Sequence, residues 1–370
     1  MDSLIKKAKN RTQPNIKENI GYANIKIIGC GGAGNNTVDR LMKIGIKGAK
    51  CIAINTDRQH LDMREAHIKI LIGKQLTRGL GAGGDPKIGR AAAEESIDDI
   101  KEVLSGSDLV FITCGEGGGT GTGSAPIIAE VAKNEGAIFV GVVSLPFKTE
   151  IGRIEKARNG INILRKYVDT LVVIDNNRLM EIAPDLPILE AFSVADEVLA
   201  TMVKGITETI SLPSLINLDF ADVRAVLRTG GVAIVGIGES SSDENRVDQA
   251  IEEALSSQLL DVSIDGAKGA LIHVSGGNDM TLAESNSVAE KISERMDVNN
   301  SMVIWGARVA DEFDGFLRVM LLITGIKSPQ IFGNEKINEY THQDLIDSNI
   351  SRSKLGLSSD LFDIEEISFE

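Results

Sequence analysis

Apolar positions along this chain change their period several times, and each change marks an element. Short runs rich in Val, Ile and Leu recur at residues 25–28, 51–57, 109–113, 138–143 and 170–174. Continuous apolar runs of that length predict strands buried on both faces, as in a parallel sheet. Between them the spacing turns helical: at 35–42, around Ile88, Ala91, Ala92 and Ala93, at 125–133, and at about 150–167 on Ile151, Ile154, Ala157, Ile161 and Leu164. In the helix at 125–133, Ser124 is expected near the N-cap and Pro126 in the first turn. This alternation over residues 23–186 predicts an α/β domain, Rossmann-like, with a parallel sheet.

A longer helical stripe follows at 187–212, carried by Leu189, Phe192, Ala195, Leu199, Met202, Val203, Ile206 and Ile210 and bracketed by Pro187 and Pro213. At 1.5 Å per residue it would run about 39 Å, enough to cross a domain and act as a spine. Beyond it the pattern changes. Strands are expected at 231–238, 269–275, 301–309 and 316–323 and helices at 245–260 and 281–296, which reads as a smaller α+β domain over 213–327 with a four-stranded sheet. Residues 1–22 form a basic polar lead-in to which no chemistry is assigned, and from 328 onward the periodicity fades into a C-terminal tail. Residues 357–370 carry five acids and no base, interleaved with Leu361, Phe362, Ile364, Ile367 and Phe369, the composition of a disordered tail or a docking peptide.

Composition narrows this picture. Aromatics make up only 4% of the 370 residues, so the core must be aliphatic. The net charge, 39 − 53 = −14, argues against nonspecific binding to nucleic acid or to acidic membrane. Cys30, Cys51 and Cys114 fall in or beside expected buried strands and have no metal-binding spacing, and the four histidines are scattered. No apolar run approaches the ~18 residues needed to span a bilayer, and the polar start shows no signal peptide.

The candidate chemistry sits in glycine. Residues 115–124, GEGGGTGTGS, place five glycines between 117 and 123, after an expected strand and before a helix. Uncovered backbone N–H groups, two threonine hydroxyls and a helix N-terminus together make a phosphate cradle. Another turn, Gly29-Cys30-Gly31-Gly32-Ala33-Gly34, has the dinucleotide fingerprint, with Asp57 at the end of the next strand where a ribose-binding carboxylate would lie. That motif alone reads as an NAD-dependent dehydrogenase. A third glycine turn at 79–86, before a helix, points instead to a longer phosphate chain held from several sides. No GxxxxGK[ST] occurs, which excludes the P-loop class. Glu150, Arg153 and Asn176 fall beyond expected strand ends, where they contact a sugar or base or are ordinary surface polarity. Asp219 and Asp222, with Asn217 just before them, follow the spine. Such a pair orients a water or helps hold a cation, or one of its members simply caps the next helix.

GCGGAGNN, GGGTGTGSAP and NLDFADVR, in this order and register, strongly resemble FtsZ, the prokaryotic family of the tubulin/FtsZ GTPase superfamily, over about residues 23–327. The resemblance implies a cytoplasmic GTPase that polymerises into filaments of the cytokinetic ring near mid-cell. It implies that Gly31, Gly32, Ala33, Gly34 and Asn35, with Gly118, Gly119, Thr120, Gly121, Thr122 and Gly123, hold the phosphates of GTP or GDP. Ala82, Gly83, Gly84 and Asp85 would lie near the γ-phosphate, Glu150 at the ribose and Arg153 beside the nucleotide. Asn176, Phe192 and Asp196 would recognise or stack on guanine, and Asp57 loses its ribose role. Mg²⁺ would be bound mainly through the phosphates, with no dedicated protein metal site. The spine then implies that Asn217, Asp219 and Asp222 are too far from their own subunit's γ-phosphate and complete hydrolysis on a neighbour stacked head to tail. The acidic tail would dock a membrane-anchoring adaptor, without direct membrane insertion.

Overall fold

The computed structural model describes residues 23–178, 188–211, 216, 218–241, 245–256, 264, 266–296 and 301–326. The N-terminal lead-in, the tail and Asn217 lie outside the described residues, as does the side chain of Phe192. The strands are β1 (Ile25–Cys30), β2 (Ala49–Asn55), β3 (Ile68–Leu71), β4 (Leu109–Gly115), β5 (Ile138–Leu145), β6 (Thr170–Asp175), β7 (Val232–Ser240), β8 (Gly269–Gly276), β9 (Met302–Val309) and β10 (Leu317–Ile326). The helices are α1 (Gly31–Ile44), α2 (Arg58–Asp62), α3 (Pro86–Glu95), α4 (Ile97–Leu104), α5 (Thr120–Asn134), α6 (Ile151–Leu164), α7 (Ile188–Ser211), α8 (Phe220–Leu227), α9 (Arg246–Ser256) and α10 (Leu282–Glu294).

β1 is buried at every position because it runs between β2 and β4 and is covered on both faces. Its apolar run is therefore unbroken, as expected for a central parallel strand. The first six strands lie in the order β3-β2-β1-β4-β5-β6, all parallel. The chain direction across the sheet reverses between β1 and β4, and ligands of such sheets bind in the crevice beyond those two strand ends. The four strands expected in the second half are present in the order β7-β10-β8-β9, with β10 antiparallel to its neighbours. They do not stand apart. β7 pairs in parallel with β6 through Leu171↔Val232 and Val172↔Ala233, joining all ten strands into one sheet.

The expected spine is α7, of 24 residues, about 36 Å long by helix rise. Leu199, Ala200, Met202, Val203 and Ile206 are buried on it and share one core with Val38 and Leu41 of α1, Phe111 of β4 and Met320 and Leu322 of β10. One apolar stripe thus packs against both halves of the sheet.

Candidate functional site

The first glycine turn is built by β1 running directly into α1. Cys30 is extended (φ −109°, ψ 127°), and Gly31 turns the chain at φ 69°, a left-handed conformation that favours glycine. Gly34 lies so close to β4 that a Cβ there would meet the Thr113 carbonyl oxygen at 2.1 Å. The Asn35 side chain is fully buried. Its amide donates to the carbonyls of Gly29 (2.7 Å) and Ile54 (3.2 Å) and accepts from Asn55 Nδ2 (3.0 Å), so it ties the turn to β2.

The second turn differs from the sequence expectation. The helix begins at Thr120, four residues before Ser124, and Pro126 lies inside it rather than in its first turn. Ser124 is no N-cap: its Oγ donates to the Thr120 carbonyl at 2.7 Å. Thr120, Gly121, Thr122 and Gly123 are the first turn of α5; the Gly123 N–H bonds the Gly119 carbonyl at 3.1 Å, and the three N–H groups before it come too early for an i−4 carbonyl within the helix. Gly119 precedes them without a side-chain cap. Packing overrides the poor helix propensity of Gly-Thr-Gly-Thr. A Cβ at Gly123 would meet the Pro86 carbonyl at 2.1 Å, so α3 and α5 touch backbone to backbone.

The third turn closes against the other two. A Cβ at Gly119 would meet Asp85 N at 2.8 Å and Ala82 Cβ at 2.9 Å, and one at Gly31 would meet Gly121 N at 2.9 Å. Asp85 caps α3, accepting from Lys87 N, while Gly83 and Gly84 are exposed at positive φ. The Thr56 and Thr120 hydroxyls lie 2.6 Å apart. The structure thus gathers Gly31, Gly32, Ala33 and Gly34, Ala82, Gly83, Gly84 and Asp85, and Gly118 to Gly123 at the ends of β1 and β4. Asp57 is elsewhere engaged, capping α2 by accepting from His60 N at 3.0 Å. Thr37 and Thr56 were not singled out in the sequence, because only their tertiary partners reveal them.

Around this cradle, Glu150 accepts from Phe147 N (3.1 Å) and pairs with Arg153 (2.6 Å) at the start of α6. Asn176 follows β6, and its Oδ1 is buried without a hydrogen-bond partner. Asp196 on α7 accepts from Thr37 Oγ1 at 3.2 Å, and burial pushes its carboxyl up to about 6. Burial also pushes the Cys30 and Cys51 thiols up to about 12, and Cys114 well above its ordinary value. Such thiols hold their protons and are poor nucleophiles.

Asp219 and Asp222 are not in this group. α7 lies along α1 in the same direction: Asp196 meets Thr37, Glu197 pairs with Arg40, Lys204 reaches the Ile44 carbonyl (3.1 Å) and Ser211 reaches the Gly48 carbonyl (3.5 Å). Gly48 precedes β2, so α7 ends at the edge of the sheet where strands begin. From Asp196 to Ser211 is about 22 Å of helix rise. α8 returns to that same edge, where the Leu227 carbonyl accepts from Thr170 Oγ1 at the start of β6. Asp219 caps α8, accepting from Ala221 N at 3.0 Å, and Asp222 stands exposed in its first turn. The capping alternative is therefore correct for Asp219. Among the described residues no three His, Cys, Asp or Glu side chains are grouped to hold a metal ion, and no helix is long and apolar enough to cross a membrane.

Glycine turns converging at the β1/β4 crevice, a spine leading away from them and an appended strand layer make a tubulin-like nucleotide-binding fold. Residues 24–184 match the Tubulin/FtsZ family GTPase domain, and residues 231–327 match the FtsZ family C-terminal domain. The chain belongs to the FtsZ family of tubulin-like GTPases. It is 56% identical over 336 residues to cell division protein FtsZ 2 of Methanocaldococcus jannaschii, covering 90% of this chain and 88% of the relative. It is 52% identical over 337 residues to cell division protein FtsZ 1 of Thermococcus kodakarensis, covering 89% and 90%. A solved FtsZ dimer of M. jannaschii matches the fold with a TM-score of 0.78 at 52% identity, over 88% of this chain and 92% of that one. The dehydrogenase reading finds no support in these matches.

Proposed function

We propose that this chain binds GTP in the glycine cradle, assembles head to tail into filaments of the division ring, and hydrolyses GTP only where two subunits meet. The observation that carries the reading is the path of α7. The cradle lies at one edge of the sheet, and Asp219 and Asp222 lie at the edge where strands begin. Stacking copies in one orientation sets the acids of one subunit over the cradle of the next, a heterologous contact that propagates as an open filament. The M. jannaschii FtsZ structure at 52% identity is a dimer, which supports self-association.

In this reading the unpaired N–H groups of the α5 first turn bind and neutralise the phosphates as charge develops. Ala82, Gly83, Gly84 and Asp85 close over the γ-phosphate, while Glu150 meets the ribose and Arg153 flanks the nucleotide. The Asn176 Oδ1, buried without a donor as is the Asn36 Oδ1 on α1, accepts from a guanine N–H. Phe192 and Asp196 complete the base pocket. Asp219 and Asp222, assisted by Asn217, orient the attacking water and accept its proton. A divalent cation would be held mainly through the phosphates, since the cradle is backbone and hydroxyl rather than carboxylate, and would supply further charge neutralisation there.

Phosphate release measured across protein concentrations, alongside light scattering with GTP, GDP or no nucleotide, tests this. Hydrolysis per molecule should rise steeply at the assembly threshold and scattering should need GTP. Full-rate hydrolysis by dilute monomers would overturn the shared site. The acidic tail is proposed to dock a membrane-anchoring adaptor at mid-cell. Deleting residues 355–370 should abolish adaptor capture and keep GTP hydrolysis, and loss of hydrolysis would refute that role.

A further inference from the structure

Beneath the second glycine turn lies a carboxyl group that hydrolysis, as proposed, does not use. Glu116, only 3% exposed, joins β4 to the cradle, and its backbone N–H is fixed on the Ser144 carbonyl of β5 at 2.9 Å. Cys114 Sγ donates to its Oε1 at 3.7 Å. From α5 the Thr122 hydroxyl faces it, and Thr122 Oγ1 accepts the Gly117 N–H at 2.9 Å. From α6 it meets Gly160, where a Cβ would stand 2.2 Å from Oε2. Oε2 itself is buried without a hydrogen-bond partner.

The titratable groups around it offer no compensation. Cys114, and Cys30 behind it on β1, are thiols that burial keeps neutral. Of the α6 cations, Arg153 is paired with Glu150 and Lys156 donates to the Gly84 carbonyl at 2.7 Å. Among the described residues no cation forms an ion pair with Glu116. Burial raises its carboxyl to about 7, against the opposing pull of Thr122 and Cys114.

We propose that Glu116 is a proton-linked positioning residue of the phosphate turn, taking up a proton when a nucleoside triphosphate binds above it. This rests on reading the glycine turns as the phosphate site. An ionised carboxylate in a poorly polarisable site is repelled by several phosphate charges placed over the same turn, and a proton removes that repulsion. It also makes the unpartnered Oε2 able to carry an O–H, with the Thr122 Oγ1 on α5 as its acceptor.

Titration calorimetry of GTP with Mg²⁺ at pH 7.5, in buffers of differing ionisation enthalpy, counts the protons exchanged. The wild-type protein should take up roughly half a proton or more per GTP beyond the Glu116→Gln variant. Independently of any variant, wild-type Kd should weaken by up to about tenfold per pH unit between about pH 7.5 and 9, where the terminal phosphate is already ionised. Equal proton uptake in the two proteins, or a flat wild-type Kd over that range, overturns the proposal. Absence of any GTP binding heat would instead sink the phosphate-site reading beneath it.

Discussion

The helices around the cradle and those of the second half differ in the acids of their first turns, although α4 of the first half, away from the cradle, carries Asp98 and Asp99. α1, α3, α5 and α6 surround the cradle, and none carries an acidic residue in its first turn. α8, α9 and α10 belong to the other half, and each does: Asp222, Asp248 and Glu284. A helix N-terminus attracts negative charge. The second half supplies that charge from its own chain and completes it with caps, Asp219 on α8 and the Thr281–Glu284 capping box on α10. At the crevice, α1 and α5 have neither a side-chain cap nor an acid in the first turn, while α3 is capped by Asp85. The contrast separates a surface built to receive an anion from one built to present fixed carboxylates.

The largest expected effect breaks the second half of that comparison. Asp222→Ala should bind GTP normally and hydrolyse it roughly 10²–10⁴-fold more slowly. Asp219→Asn keeps an N-cap acceptor while removing the charge, so it should retain stability and lose activity, whereas Asp219→Ala loses both, with about 1 kcal/mol from the cap. Steady-state hydrolysis with urea unfolding of each variant separates the roles. Wild-type rates in Asp222→Ala would reduce this carboxylate to helix decoration.

A second prediction sets one buried titratable group from each half against the other. Burial raises Glu116 to about 7 and lowers His273 to about 4, where its Nδ1 sits 2.7 Å from Thr209 Oγ1. Glu116 binds its proton more tightly folded than unfolded, so its stabilisation is present below the ordinary carboxylate range and lost as pH rises through about 7. His273 is the reverse: its stabilisation is present above the ordinary imidazole value and lost as pH falls through about 4. Each effect is about 3 kcal/mol at most, so they nearly cancel between pH 4.5 and 8. Glu116→Gln should unmask the histidine: its stability relative to wild type should be about 3 kcal/mol greater at pH 8 than at pH 4.5. Parallel curves of urea midpoint against pH would show that Glu116 does not titrate in the neutral range.

Much of this was legible in the sequence because it is local. Glycine runs between apolar strands and the α7 stripe carry their own periodicity. What escaped depends on distant partners. The start of α5 was misplaced because Ser124 and Pro126 are general start signals, while the actual start at Thr120 depends on α3 packed against Gly119 and Gly123. The fusion of the two sheets rests on two residue pairs between β6 and β7. Besides its local acceptor, the Ala33 carbonyl, Thr37 meets Asp196, 159 positions along the chain. Glu116 lies within a glycine run, and its burial depends on β5 and α6, which lie further along the chain.

Matched glycine substitutions sharpen the comparison at a smaller scale. A Cβ at Gly123 would meet the Pro86 carbonyl at 2.1 Å, and one at Gly236 would meet the Ala254 carbonyl at 1.8 Å. Both alanine variants should lose about 2 kcal/mol or more, roughly 3 °C or more in Tm. Only Gly123→Ala should also weaken GTP binding, because it pushes α3, and with it Asp85, off the cradle. Equal loss of affinity in Gly236→Ala would mean the halves are not separable as drawn.

The smallest effect concerns charge held rigidly against charge held loosely. Arg246 lies 14% exposed between α9 and α10, paired with Asp279 and with both Glu284 oxygens, Nη2 to Oε2 at 2.9 Å. Those bonds hold its guanidinium well above its ordinary value and Glu284 down to about 2, so the network stays charged throughout the neutral range. Arg40–Glu197 joins α1 to α7 with both partners near 40% exposed (43% and 39%), where water and salt screen the attraction. Arg246→Ala should therefore cost about 1 kcal/mol, since two carboxylates lose a shared partner, and Arg40→Ala should stay within about 0.5 kcal/mol of wild type. Urea midpoints at low and at 0.5 M salt (about a 4 Å screening length) compare them, and the Arg246 deficit should shrink with salt while the Arg40 difference disappears. A larger deficit at Arg40 would locate the rigid charge network in the nucleotide half, contrary to what the helix N-termini indicate.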